Sequence, residues 1–178
     1  MQSAPEIWPR LATARLTLRG PEVADAARVA ELASDVDVAR MTTSIPYPLT
    51  LEQARAFLEH VQGRDGAREA LFAIETAEDG LVGLLELHPF REPTPELGYW
   101  LGRPFWGKGY ATEAVEAALG WAGGAWGKRY IVAGHFDDNP ASAGVLIKAG
   151  FLYTGRIEHR YSLARGGTAP TRMMVWLA

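Results

Sequence analysis

Trp100-Leu101-Gly102-Arg103-Pro104-Phe105-Trp106-Gly107-Lys108-Gly109-Tyr110-Ala111-Thr112-Glu113-Ala114 is the most informative stretch of the chain. It sets Gly107 and Gly109 between a strand and a segment of good helix formers. Glycine lets a backbone approach a ligand with no Cβ in the way. The first amides of a helix have no partner within it, and the helix dipole adds positive potential there. Such a turn suits an anion, a pyrophosphate in particular, and Lys108 adds a charge at its rim. Two glycines also serve a plain tight turn, so the flanking sequence has to decide.

A nucleotide-triphosphate loop is the sharpest rival. Gly102, Gly107 and Lys108 have Walker A spacing, and the apolar run at 130–136 is followed by Asp137. The match fails at Gly109, where a serine or threonine hydroxyl would hold magnesium. The upstream strands also read as antiparallel, whereas that fold needs parallel ones. A dinucleotide fold fits less well, because the glycines come late and no acidic residue closes a strand at the expected distance.

Outward from the turn, residues 15–19 alternate apolar and polar as a half-buried strand does. Pro21 and Glu22 open a segment in which Val23, Ala26, Ala27, Ala30 and Leu32 recur at helical spacing. Pro46 and Pro48 mark an irregular connection. Thr50 and Gln53 then have capping-box spacing ahead of the apolar Ala54, Phe57, Leu58 and Val61. Residues 70–76 and 81–88 are β-rich runs separated by Glu78, Asp79 and Gly80, a hairpin pattern, and 96–101 follows a proline-bearing loop as a third antiparallel strand. Helical spacing returns over 110–121, 130–136 reads as a buried strand, and 141–149 as a short helix ended by Gly150. Strands at 151–157 and 171–177 close the chain around a flexible stretch, 164–167. Repeats, low-complexity tracts and long linkers are absent from the sequence.

The 178 residues fit one domain with one core. The chain has no cysteine, which removes disulfides, thiolate metal ligands and a cysteine nucleophile, so acyl chemistry would be direct or use a hydroxyl. A net charge of −3 with no basic run leaves no footprint for nucleic acid. Residues 1–10 carry Pro5, Glu6 and Pro9 where a signal peptide needs a basic and then an apolar region, and no apolar stretch has membrane-spanning length. The expected address is the cytosol, with neither nucleic acid nor membrane as a partner. The apolar content fits a monomer or a homodimer equally.

Gly107, Lys108, Gly109, Tyr110, Ala111, Thr112, Glu113 and Ala114 resemble the acyl-CoA loop of the GNAT superfamily of N-acetyltransferases. Asn139, Pro140, Ala141 and Ser142, followed by Lys148, Ala149, Gly150 and Phe151, resemble the second signature of its Rim-type branch, that of the ribosomal-protein acetyltransferases. The likeness runs from the strand at Leu16 to the strand at Val175. It implies the GNAT fold, an α/β (mixed α+β) architecture in which a splayed, mostly antiparallel sheet of about seven strands is flanked by about four helices, with a core over about 14–177. It further implies that acetyl-CoA serves as acetyl donor and that no metal is used. The pantetheine arm would run between the strand ending at Leu101 and the strand at Tyr130, pairing with the backbone of Tyr99, Trp100 and Leu101. The pyrophosphate would rest on the amides from Gly107 to Thr112, at the end of a loop that begins at Trp106. Asn139 would contact the cofactor near its reactive end, and Ser142 would serve as acid for the leaving group.

The sequence departs from the superfamily at several points. Trp106 stands where glutamine or arginine is frequent. The frequent base and tyrosine acid positions fall at Gly134 and Leu146, and the carboxylate that the branch uses as base aligns with Tyr161, beside Glu158 and His159. Amine acetylation still needs a base, a donor to the developing oxyanion and an acid for the thiolate. Glu96, at the start of the cofactor strand, is the expected base, directly or through water, although a carboxylate at a strand edge is commonly solvated. Glu86 and His88 are further candidates. His135 reads as a satisfied core histidine. Ser142 alone would read as a first-turn helix residue, and the tryptophans as packing, with only Trp100 or Trp106 near an acceptor. The sequence thus points to direct acetyl transfer to a primary amine, either a protein N-terminus or a small molecule. A second reading is an acyl-CoA-binding sensor or scaffold without turnover. The helices between residues 22 and 64 and the loop around Gly166 would shape the acceptor site.

Overall fold

The computed structural model describes residues 8–91 and 94–178. The first seven residues of the stretch read as lacking a leader, and positions 92 and 93 of the proline-bearing loop, lie outside the described residues.

Among the described residues eight strands form one sheet in the order β1-β2-β3-β4-β5-β6-β8-β7. They are β1 (Leu11–Ala12), β2 (Leu16–Arg19), β3 (Ala70–Thr76), β4 (Gly80–Arg91), β5 (Thr94–Leu101), β6 (Tyr130–Phe136), β7 (Leu152–Ser162) and β8 (Gly167–Leu177). Five helices accompany them: α1 (Ala26–Ala33), α2 (Val36–Ala39), α3 (Leu51–Val61), α4 (Tyr110–Gly123) and α5 (Pro140–Lys148). The expected architecture holds, with one strand and one helix more. β1 is two residues long and α2 four, too short for either period to show. Among the described residues β7 and β8 also run further than their apolar segments; the turn between them is 163–166, and Gly167, the last residue of the stretch expected as flexible, opens β8. Arg165 in that turn donates to the Arg40 carbonyl at 2.6 Å and pairs with Asp138 at 2.8 Å.

Local chemistry explains the helix ends. Thr50 accepts from the Gln53 amide at 3.2 Å while the Gln53 side chain accepts from the Thr50 amide at 2.9 Å, the reciprocal capping box that the spacing predicts. Apolar stripes then bury each helix: Ala26, Val29, Leu32 and Ala33 on α1, Ala54, Leu58 and Val61 on α3, and Ala114, Val115, Ala118, Leu119 and Ala122 on α4.

All neighbouring strands are antiparallel except β5 and β6. These two are parallel and matched only at Glu96 with Val132 and Leu97 with Ala133. Beyond Leu97 they part, while β5 stays paired to β4 through Leu101 and β6 stays paired to β8 through Phe136. Alternation along β5 puts Glu96 and Gly98 on one face and Leu97 and Tyr99 on the other. The cross-strand row Phe72, Leu85, Tyr99 meets Trp121 of α4 edge-on at 5.5 Å and Ser142 of α5, so α4 and α5 cover that second face. Helices α1 and α3 pack together, and Arg64 beyond α3 reaches Glu86 on the first face.

The β4–β5 contact leaves no room for a side chain at buried Gly83, where a Cβ would lie 2.1 Å from the Trp100 carbonyl oxygen and 2.8 Å from Leu101 Cδ2. Gly83→Ala forces β5 away from β4, and an overpacked core position of this kind costs about 3 kcal/mol. Urea unfolding should show a lower midpoint for Gly83→Ala at an unchanged slope.

Candidate active site

The gap between β5 and β6 opens into a cleft of about 1270 Å³ that carries most of the expected site residues on its walls. At its rim the backbone of Gly107 has φ 71° and that of Gly109 has φ 80°, both left-handed and suited to glycine. Gly109 is the N-cap of α4, so the amides of Tyr110, Ala111 and Thr112 open the helix and face the cleft without partners inside it. The loop is fixed from outside by Arg15, at the edge of β2. Its guanidinium donates to the Lys108 carbonyl at 2.8 Å and to Glu113 of α4 at 2.7 Å, and stands over the Tyr110 ring at 4.9 Å. Thr13 adds a 2.6 Å bond to Glu113. No local sequence signal marks this clamp, because its partners are about a hundred residues apart.

Lys108 is not on the cleft wall; its ammonium sits 5.5 Å from the centre of the Phe105 ring, which is. Trp106 also lines the cleft, and its indole N–H donates to the Leu101 carbonyl at 2.8 Å. That carbonyl is therefore occupied. The Gly102 amide and the Trp100 carbonyl are turned toward β4, so alternation along β5 leaves the backbone of Tyr99 open toward β6.

On the first face of the sheet, Glu96 is 6% exposed, which contradicts the reading of a solvated strand-edge carboxylate. It hydrogen-bonds Arg160 of β7 and lies 3.6 Å from His88 Nε2. His88 Nδ1 lies 3.6 Å from Glu86, which in turn lies 3.7 Å from Arg64. Burial pushes the Glu96 carboxyl up, but the His88 contact and the Arg160 charge outweigh it and hold the group below its ordinary value. For His88, burial acts to lower the imidazole, and Glu96 with Glu86 outweighs that and raises it. Glu158 is engaged by Arg160 at 3.0 Å and Arg156 at 3.2 Å, while His159 and Tyr161 are exposed and do not line the cleft. Arg160, brought in from 64 residues away, is a site residue that the sequence did not reveal.

On the second face, Asn139 caps α5 by accepting from the Ser142 amide at 3.1 Å. The Ser142 hydroxyl lies 2.8 Å from the Tyr99 hydroxyl across the cleft. His135 is buried, with Nδ1 on the Phe136 carbonyl and Nε2 on the Tyr153 hydroxyl, each at 2.9 Å, the satisfied core histidine that its apolar surroundings predict. Leu146 is buried and Gly134 carries no side chain, so neither supplies an acid or base. Among the described residues, no group of three or more His, Cys, Asp or Glu side chains is placed to hold a metal ion, and no helix is long and apolar enough to cross a membrane.

The sheet, the splay and the glycine turn form a framework that the comparisons with known proteins identify. The profile of the acetyltransferase (GNAT) domain matches residues 15–152. The chain is 30% identical over 156 residues to the uncharacterized N-acetyltransferase YoaA of Bacillus subtilis, spanning 84% of this chain and 86% of that protein. It is 28% identical over 160 residues to the uncharacterized N-acetyltransferase p20 of Bacillus licheniformis, spanning 88% and 89%. Among solved structures, Mycobacterium smegmatis RimJ in complex with CoA-disulfide superposes with a TM-score of 0.83 at 22% identity, over 97% of this chain and 90% of that one, a likeness of fold. The chain belongs to the GNAT acetyltransferase family, whose acetyl donor is acetyl-CoA, and it is an N-acetyltransferase.

The Glu86–His88–Glu96 arrangement predicts a titration. An imidazole NMR titration should place His88 above its ordinary midpoint of about 6.5, and Glu96→Gln should bring it down. Since the folded value is raised, the contribution of this contact to stability is full below about pH 6.5 and fades as pH climbs through the folded midpoint.

Proposed function

We propose that this protein transfers an acetyl group from acetyl-CoA directly to a primary amine, the amine of a protein N-terminus or of a small molecule, without a covalent enzyme intermediate. The observation that carries this reading is the placement of two chemically different groups on opposite faces of one strand. Glu96 and its partners lie on the first face of β5, the Tyr99–Ser142 pair on the second, and the open gap beside them lies between. An amine entering on one side and a thiolate departing on the other is what acyl transfer requires.

The donor fits the gap by ordinary chemistry. An amide group of pantetheine pairs with the free backbone of β5 at Tyr99, much as a further strand would. The pyrophosphate rests on the amides of the turn from Gly107 to Thr112, at the positive end of α4. Asn139 and Ser142 flank the thioester end at the start of α5.

The acceptor arrives protonated. A lysine-like amine with a pKa of about 10.4 is neutral in roughly one molecule in a few thousand at pH 7, and a peptide α-amine in about one in ten. Removing that proton calls for a base whose pKa lies near the working pH. Glu96, bound to Arg160 and held low, accepts protons poorly, whereas an imidazole held above its ordinary value accepts them near neutrality. In this reading His88 takes the proton, directly or through water, and Glu96 orients and charges it from behind. The amine nitrogen then attacks the thioester carbon, the C–S bond breaks, the electron pair leaves with sulfur on the Ser142 side, and the nitrogen gives its remaining extra proton to water as the amide forms.

Release of CoA thiol from acetyl-CoA, with a panel of primary amines, tests the proposal. Turnover with an amine supports it; binding of acetyl-CoA without thiol release with any amine would favour the sensor reading instead. His88→Gln should lower the transfer rate by about a hundredfold with acetyl-CoA affinity unchanged. Gly109→Val should abolish donor binding in calorimetry, because a side chain at φ 80° is strained and its Cβ would stand 3.2 Å from Arg15.

A further inference from the structure

Tyr99 enters the site twice, once through its backbone on β5 and once through its hydroxyl. The hydroxyl lies 2.8 Å from Ser142 Oγ and 3.4 Å from the Ser142 carbonyl oxygen, although the two residues stand 43 apart in sequence and on different walls of the cleft. The Ser142 backbone is itself pinned, its amide bound to Asn139 at 3.1 Å. What remains free at Ser142 is rotation of the hydroxyl about its own bonds, and the Tyr99 hydroxyl is the group that restrains it.

We propose that Tyr99 is a positioning residue for the leaving group: its hydroxyl donates to Ser142 Oγ and so turns the Ser142 proton toward the departing sulfur. The inference rests on the acetyl-transfer reading. Burial pushes the Tyr99 phenol up to about 12, the Ser142 contact opposing, so it keeps its proton across the range in which amines are acetylated and acts as a donor throughout.

The same acidities decide what the pair does. A thiol of the cysteine type has a pKa of about 8.5, well below this phenol and below any serine hydroxyl. When the tetrahedral intermediate collapses, the C–S bond breaks and its electron pair stays on sulfur. Neither hydroxyl is acidic enough to give its proton to that thiolate outright. Ser142 donates a hydrogen bond to the sulfur, Tyr99 donates one to Ser142, and the thiolate takes its proton from water after release. The proton from the amine leaves on the opposite face. Ser142 therefore acts as a hydrogen-bond donor to the leaving group, which refines the role of acid that the family resemblance implies. The two hydroxyls work as one unit, with Tyr99 effective only through Ser142.

A double-mutant cycle in single-turnover acetyl transfer tests this, using acetyl-CoA and an amine that the parent accepts. Tyr99→Phe keeps the ring and its packing, and should slow transfer by roughly tenfold or more while the Kd for acetyl-CoA stays within about twofold, since the donor meets the Tyr99 backbone. Ser142→Ala should slow it at least as much, and Tyr99→Phe should cost nothing further in the Ser142→Ala background. A purely structural Tyr99 would show its loss in both backgrounds. Transfer by Tyr99→Phe at the parent rate, or losses that multiply, would overturn the proposal. A parent that binds acetyl-CoA and transfers nothing would overturn the transferase reading and this inference with it, whereas a parent that turns over leaves that reading standing whatever Tyr99→Phe does. Thermal melting checks folding. If Tyr99→Phe proves unfolded, 3-fluorotyrosine at position 99 takes its place as a nearly isosteric, more acidic donor, and a transfer rate equal to the parent's would overturn the proposal.

Discussion

Parallel pairing between β5 and β6 stops after two residue pairs, and the site depends on that interruption. A sheet that continued its ladder here would leave no place for a donor. One that separated fully would lose the shared core. The chain reaches the intermediate case by keeping each strand fully paired on its other side, β5 with β4 and β6 with β8. The Tyr99 backbone on the open edge then lacks a ladder partner on β6. Buried backbone donors and acceptors are almost always paired, so this edge favours a ligand with amide groups of its own. Trp106 closes the end of the opening by binding the Leu101 carbonyl, and Arg15 holds the glycine turn against α4.

Around the opening, charge is arranged by burial as much as by sequence. Glu96 lies almost wholly inside, and Arg160 is its hydrogen-bonded counter-ion. Removing one member of a buried pair leaves the other uncompensated, at a cost of about 3–5 kcal/mol in ordinary cases, so the two are bound to act together. The segments expected to shape the acceptor site are joined in the same way. The segment after α2 is tied to the β7–β8 turn by the Ser162 hydroxyl on the Thr42 carbonyl at 2.7 Å and by Arg165 on the Arg40 carbonyl at 2.6 Å. The two segments expected to shape the acceptor site thus hold each other.

The legible part of this architecture is local. The Thr50–Gln53 box, the β3–β4 hairpin around Gly80 and the glycine turn before α4 are each written within a few residues, and each forms as its chemistry predicts. The two-residue β1 and four-residue α2 escape because neither is long enough to show a period. At the site, the sequence marks the cleft walls but not the bonds that join them. Arg15 with Glu113, Arg160 with Glu96 and Tyr99 with Ser142 span 98, 64 and 43 residues, and no spacing rule pairs residues at such distances. Glu96 reads as an edge carboxylate for the same reason, since the strand that covers it comes from the far end of the chain. Lys108 reads as a rim charge, and its place over the Phe105 ring is likewise set by packing that the sequence does not display.

A crystal structure of the protein with acetyl-CoA would test the central claim, that the parting of β5 and β6 is the donor site, most directly. The account predicts the pantetheine arm between the two strands, bonded to the β5 backbone at Tyr99, with the pyrophosphate on the turn from Gly107 to Thr112 and the thioester between the His88 and Ser142 faces. A donor bound elsewhere, with the gap closed or filled by side chains, would contradict it.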